Sequence, residues 1–291
     1  MTDTDHTGAR YASLGIEEVE ASVQRNLARR EWRARVSGIV APIAVVIALL
    51  ALWEAATRVF AIPLFLLPPP SAIALSMQAN ASLLLTNGWV TTVEIVLGFL
   101  LSIVVGIPLA LAIFLWPPFS RSVLPLLVSS QAMPKVAIAP LLLVWFGFGL
   151  LPKVLIAFLI AFFPVVINTA VGLASIEPEK IYLARSMGFG ATATFFKIRL
   201  PNALPAIFGG LKISITLAVV GAVVGEFVGG DAGLGYLLMV ANGSMDTQLL
   251  FAGIVALTIL GVVLFVLVEL AERLAIPRHI ISGDKGARET M

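Results

Sequence analysis

Six long apolar stretches constrain this chain more than any other feature. They run from Ile39 to Phe60, Trp89 to Trp116, Ser122 to Phe146, Pro152 to Ala174, Ala203 to Val228 and Leu249 to Ala271. Each has the roughly 20 residues a helix needs to cross the hydrocarbon of a bilayer, and backbone in lipid must satisfy its own hydrogen bonds. The expected fold is therefore an all-α polytopic membrane protein with six transmembrane helices. Composition agrees, with 59% hydrophobic and 12% charged residues, against about 25% charged in a typical soluble domain. The third stretch is interrupted by Pro125, Pro134, Lys135 and Pro140. Each proline removes a helical hydrogen bond, which predicts a kinked or broken span.

Lysine and arginine placement sets the orientation. Arg10, Arg25, Arg29, Arg30, Arg33 and Arg35 precede the first span, and Arg121, Lys180, Arg185, Lys197 and Arg199 lie in alternate connections. Arg273, Arg278, Lys285 and Arg288 follow the last span. The segments 61–88 and 229–248 contain neither lysine nor arginine, and only Arg58 and Lys153 sit near that face. Both termini are therefore expected in the cytoplasm. Three regions follow: an N-terminal segment 1–37, a transmembrane domain 38–274 and a tail 275–291. The first 36 residues are polar, and the first apolar run is too long for a cleavable signal. Ile16, Val19, Val23 and Leu27 recur at helical spacing ahead of basic residues around Trp32. That pattern fits a helix on the membrane surface, and equally an ordinary solvated helix. Pro68-Pro69-Pro70-Ser71 reads as a stiff turn, with Ser71 capping a short helix that extends to about Leu85.

Several chemistries are excluded. There is no cysteine, hence no disulfide or thiolate site, and the two histidines, His6 and His279, lie in the polar ends. The glycine-rich stretches at Gly188–Gly190 and Gly209–Lys212 lack the Gly-Lys-Ser/Thr ending that cradles nucleotide phosphates. No nucleophile elbow is present. The chain is expected to be neither an enzyme nor a binder of metal, cofactor or nucleic acid.

The longest hydrophilic connection on the cytoplasmic side is 175–202. Pro178 suits a first helical turn, Glu177 and Glu179 complement the helix dipole there, and Arg185 falls near the other end. Gly188 and Gly190 provide a stop. Ile181, Ala184 and Gly188 share a face of mostly small residues that would let a partner approach. Thr192 to Leu200 reads as a second short helix ending at Pro201, with Phe195 and Phe196 available for burial. Two short helices with a small corner suit a knob that enters a cleft on another protein.

This loop carries a resemblance. Tyr182-Leu183-Ala184-Arg185-Ser186-Met187-Gly188, nine residues, then Ile198-Arg199-Leu200-Pro201 is similar to the EAA loop of binding-protein-dependent ABC importer permeases. That pattern reads Glu-Ala-Ala, three residues, Gly, nine residues, Ile-x-Leu-Pro. The departure is at the front, where Tyr182 and Leu183 replace Glu and Ala; Glu179, one turn earlier, is the remaining candidate for a carboxylate contact. Pro134 to Leu141 with Trp145-Phe146-Gly147-Phe148-Gly149, and Gly225-Glu226-Phe227 leading to Gly233-Leu234-Gly235-Tyr236, resemble the nitrate/sulfonate/taurine branch. The resemblance implies a type I importer permease fold in the bacterial inner membrane, moving a small anionic or polar solute such as nitrate, a sulfonate, taurine or bicarbonate inward. It implies a cytoplasmic ATPase dimer that binds ATP and Mg, an external solute-binding protein and a second copy of the permease. Glu179, Tyr182, Ala184, Arg185, Gly188, Ile198, Leu200 and Pro201 would form the ATPase-coupling surface. A secondary transporter driven by an ion gradient is the alternative; it calls for inverted repeats and mid-membrane acidic pairs, and neither is visible.

Charges within the spans ask for a reason, since each costs roughly 2.5–3.5 kcal/mol at a helix centre on insertion scales. Glu54 and Arg58 are four apart and expected to pair. Glu94 lies in the first turns of its span, and Lys212 can snorkel. Lys135 is expected either to be held by backbone carbonyls loosened by the prolines or to attract an anion on the pathway. Glu226 would fix the glycine-rich outer turn or meet the binding protein. Gly209, Gly210, Ser214, Gly221 and Gly225 permit close helix contact; Gly221 and Gly225 are candidates for the pathway lining, although packing within the chain explains them as well.

Overall fold

A computed structural model describes residues 41–276. The predicted surface helix around Ile16–Leu27 and most of the tail fall outside that range. Helices account for nearly all of the described chain: α1 (Ala41–Val59), α2 (Pro70–Ala79), α3 (Ala81–Leu115), α4 (Pro117–Ser130), α5 (Ala139–Phe146), α6 (Leu150–Ala174), α7 (Pro178–Ser186), α8 (Ala191–Thr194), α9 (Leu200–Gly229), α10 (Leu234–Gly243) and α11 (Thr247–Ala275). Five of the spans are single long apolar helices. The third is broken as the prolines predict: α4 and the segment Lys135–Phe146 meet at a bend of 85°.

The chain divides into two compact units, one ending at Pro63 with Pro69–Ser71 added, the other formed by Leu64–Pro68 and everything from Ala72 onward. In the first unit Arg58 pairs with Glu54 at 2.5 Å, the expected i,i+4 contact. Ser71 is not an N-cap. It lies inside α2, where its N–H and hydroxyl both donate to the Glu54 carboxylate, at 3.0 and 2.7 Å. The long Glu54 side chain thus caps the helix from outside, so the serine has no capping to do.

The second unit is built around α6 and α9. Their contact is a ladder of small residues. A Cβ on Gly221 would lie 2.5 Å from Ala157 Cα, one on Gly210 would lie 2.8 Å from the Pro164 carbonyl, and one on Gly225 would lie 3.0 Å from Lys153 Cα. Ser214 donates to the Ala161 carbonyl at 2.7 Å between them. With little hydrophobic drive between helices in lipid, such close backbone approach and interhelical hydrogen bonding supply the attraction. Helix α3 joins the pair in the same way, with Gly98 against Ala157 and Gly106 against Val165. Ile95, Ala157, Ala161, Ile215, Ala218, Ala222 and Leu264 form the centre of the core, which draws on α3, α6, α9 and α11. Outside, Val104, Leu115, Val144, Phe148, Val262 and Leu267 are exposed, an apolar surface that only lipid or another chain can cover.

Two boundaries differ from expectation. The helix after Ser71 ends at Ala79, and α3 starts at Ala81, before Trp89. And Pro201 ends nothing: α8, one wide turn over Phe195–Arg199 and α9 follow one another as a single helical run, with Pro201 in the first turn of α9. Proline has no N–H to give the carbonyl four residues back, yet these helices carry it, as Pro108 in α3, Pro164 in α6 and Pro205 in α9 show, by adjusting the turn locally.

Candidate functional site

The 175–202 connection forms its first helix where the sequence placed it. Pro178 opens α7, Glu179 lies in its first turn and Arg185 in its last. Lys180 pairs with Glu177 at 3.1 Å. The helix closes through Gly188, whose φ is +83°. Gly188 N–H donates to the Arg185 carbonyl and Phe189 N–H to that of Ala184, each at 3.0 Å. This paired 5→2 and 6→1 arrangement satisfies carbonyls that the helix leaves open, and its left-handed residue is glycine because a Cβ would be strained there.

The face presented outward is not the small one. Ala184 is 3% exposed and turns into the protein, while Tyr182, Leu183 and Met187 are each more than 60% exposed. Ala184 is therefore corrected from a partner contact to a packing residue: its small side chain lets α7 lie close to its own chain. Glu179, Arg185 and Gly188 are exposed, and no atom lies within 4 Å of where a Gly188 Cβ would be. Ile198, Leu200 and Pro201 are half-buried where the run enters α9. Phe195 packs against the buried cluster of Val165, Leu173, Ala203, Ile207 and Leu211, and Phe196 is exposed, edge-on to it at 5.1 Å.

A second polar cluster lies toward the opposite side, near the start of α6 and the end of α9; because α3 begins at Ala81, Glu94 lies well inside that helix and not in its first turns as expected. Lys153 Nζ is 2.6 Å from Glu94 Oε1, with both side chains almost wholly buried. The Glu226 carboxyl lies beside that of Glu94, and the exposed Asp231 is 3.8 Å from the ammonium. Thr91 hydroxyl donates to Glu226 Oε1 at 2.6 Å, and Gly235 N–H donates to Glu226 Oε2. Leu234 N–H donates to Thr91 Oγ1 at 2.8 Å, and Gly233 N–H to Asn87 Oδ1 at 2.9 Å. Three successive N–H groups at the start of α10, which lack helical acceptors, are thus held by side chains of α3 and α9. Gly233 and Gly235 are required, since a Cβ on either would run into the Glu226 side chain.

These contacts settle where the candidate pathway residues stand. Gly221 and Gly225 are enclosed between α9 and α6, and Glu226 is 1% exposed. They line no open path within this chain, because the close helix approach that requires glycine also seals the gap. Gly209, by contrast, has open space around it. Lys135 is half-buried and donates to Gln131 Oε1 at 3.0 Å, with its ammonium 5.8 Å from the Phe163 ring. A side-chain amide and an aromatic face hold it, not backbone carbonyls. Lys212 pairs with Glu272 at 2.7 Å. Lys153, Thr91 and Asn87 were not singled out from the sequence; a lone lysine on the face otherwise poor in basic residues was the available signal. Among the described residues no cluster of three or more acidic, histidine or cysteine side chains is arranged to hold a metal ion.

Residues 98–279 match the family model of the binding-protein-dependent transport system inner membrane component. The chain belongs to that family. This permease is 40% identical to the riboflavin transport system permease protein of Chloroflexus aurantiacus, over 91% of this chain and 97% of the relative. It is 30% identical to the putative aliphatic sulfonates transport permease protein of Bacillus subtilis, over 90% and 94%. The fold is that of a type I importer permease: inward-facing crystal forms of the MetNI methionine ABC transporter match with a TM-score of 0.57 at 20% identity, over 69% of this chain and 96% of that one. The permease is thus an integral, multi-pass membrane subunit of an ABC transporter for small solutes.

Proposed function

We propose that the permease carries solute inward as one of two copies, with α7 inserted into a cytoplasmic ATPase dimer of the bacterial inner membrane and the α10 end facing an external solute-binding protein. The observation that supports this is the exposed Tyr182–Leu183–Met187 patch on a helix that lies between two spans and ends in a glycine turn with open space around it. Apolar patches of this kind outside a lipid-facing span mark protein contacts. With Tyr182 in place of the family's glutamate, the grip on the ATPase is chiefly aromatic and apolar, and ATP and Mg belong to that partner. Substrate passes as the two loops move with the closing ATPases, a shift between inward- and outward-open populations. The test is Gly188→Val in proteoliposomes containing the ATPase and the binding protein. Assembly should survive while ATP-dependent uptake falls towards background, because valine is strained at φ of +83°. Unchanged uptake would refute the assignment of the loop.

The solute admits two classes. Likeness to the sulfonate relative favours a small oxyanion, and the greater identity to the riboflavin relative favours a flat nitrogen heterocycle. Mass spectrometry of the ligand retained by the co-purified binding protein separates them.

A further inference from the structure

We infer that Arg199 is the positioning residue through which movement of α7 reaches the ends of α3 and α6; the inference rests on the coupling role proposed for the loop. It begins with Pro201. A proline there offers no N–H to the Lys197 carbonyl, and its ring crowds that carbonyl. The turn just before it is the one that opens: Leu200 N–H donates to the Phe195 carbonyl, five residues back, in a π-helical turn.

Within that turn the Arg199 guanidinium reaches two other helices. Its Nη1 donates to the Leu173 carbonyl at 3.3 Å, and its Cζ lies 5.0 Å from the centre of the Phe114 ring. Leu173 is in the last turn of α6, where carbonyls have no helical partner, and Phe114 is in the last turn of α3. The end of α6 therefore meets the cation through a free carbonyl and the end of α3 through an aromatic ring, and guanidinium suits the place because it stacks and donates at once. Phe195, from the same turn, packs against the same apolar cluster as Phe114. On the outward side Lys197 lies 5.5 Å from the ring of Phe189, the residue that completes the turn after α7. Contacts thus run from the turn after α7 through Phe189 to Lys197 and, two residues further along the same wide turn, from Arg199 to Phe114 and Leu173. Lysine at 199 would keep the charge and lose the stack.

The test uses the permease purified in complex with its ATPase. Since the chain has no cysteine, a single environment-sensitive fluorophore can be placed at Glu177→Cys, the exposed N-cap of α7 outside the apolar patch, or, in a separate preparation, at Leu85→Cys at the far end of α3. In the parent chain, ATP with Mg and vanadate should change the emission at both sites. With Arg199→Ala the Glu177 response should persist and the Leu85 response should be lost. Phe114→Leu, which keeps an apolar side chain, should give the same separation, and Arg199→Lys should restore part of the Leu85 response. A full Leu85 response in Arg199→Ala and Phe114→Leu overturns the inference and leaves the coupling role of the loop intact. Absence of any Glu177 response in the parent chain overturns the coupling reading and this inference with it. Should Arg199→Ala fail to assemble, the lysine and Phe114 variants decide.

Discussion

At the scale of single residues, the buried charges carry the clearest consequences. Glu94 and Lys153 are paired where neither meets water. Removing one partner of such a pair costs about 3–5 kcal/mol, whereas replacing both with apolar groups is often neutral. Lys153→Met should therefore lower the melting temperature in detergent sharply, since it leaves Glu94 and Glu226 side by side without a cation. Glu94→Leu combined with Lys153→Met should recover much of the loss, and a double variant no better than Lys153→Met would refute the pairing. The glycines offer a matched comparison. Gly221→Ala forces a methyl against Ala157 and should cost about 1–3 kcal/mol. Gly209→Ala meets open space and should stabilise α9 by roughly 0.5–1 kcal/mol.

At the scale of elements, hydropathy located every span, and the proline count located the broken one. What it missed depends on contacts between distant parts of the chain. Helix α3 extends ahead of its apolar stretch, and Asn87 in that extension holds Gly233, so a polar residue there is no sign of solvent. The role of Lys153 was invisible because its partner lies two spans earlier in the sequence. Ala184 was read as a contact surface because small residues serve equally for approaching another protein or one's own chain. The Pro201 boundary was misplaced because a proline that stops a helix and one that a helix carries through by widening a turn look alike in sequence; the coupling loop is consequently one free helix and one continuous with α9. Pro201→Ala should close the wide turn towards ordinary α-helical geometry and swing α7 relative to α9. The expected result is normal assembly with less uptake per ATP hydrolysed, measured in proteoliposomes; an unchanged ratio would show that the wide turn is unimportant.

At the scale of the whole molecule, polar contacts gather at the two ends of an apolar bundle, the Glu94–Lys153–Glu226 cluster at one and the α7 connection with Arg199 at the other. From the lysine and arginine distribution we propose that the second end faces the cytoplasm. A membrane-impermeant maleimide added to intact cells should therefore label Met245→Cys, in the turn between α10 and α11, but reach Leu183→Cys only after the membrane is opened. Labelling of both from outside would reverse or break the topology. The buried pair also bears on how the protein is made. A ribosome delivers α3 to the membrane before α6 exists, so Glu94 enters the insertion machinery with no counter-charge. The carboxyl must either wait at the membrane surface or travel protonated until Lys153 arrives, and Glu226 follows later still. The second span therefore reaches its lowest-cost seat only once the fourth has been made, and a chain truncated between them should carry an unpaired carboxyl in its bundle.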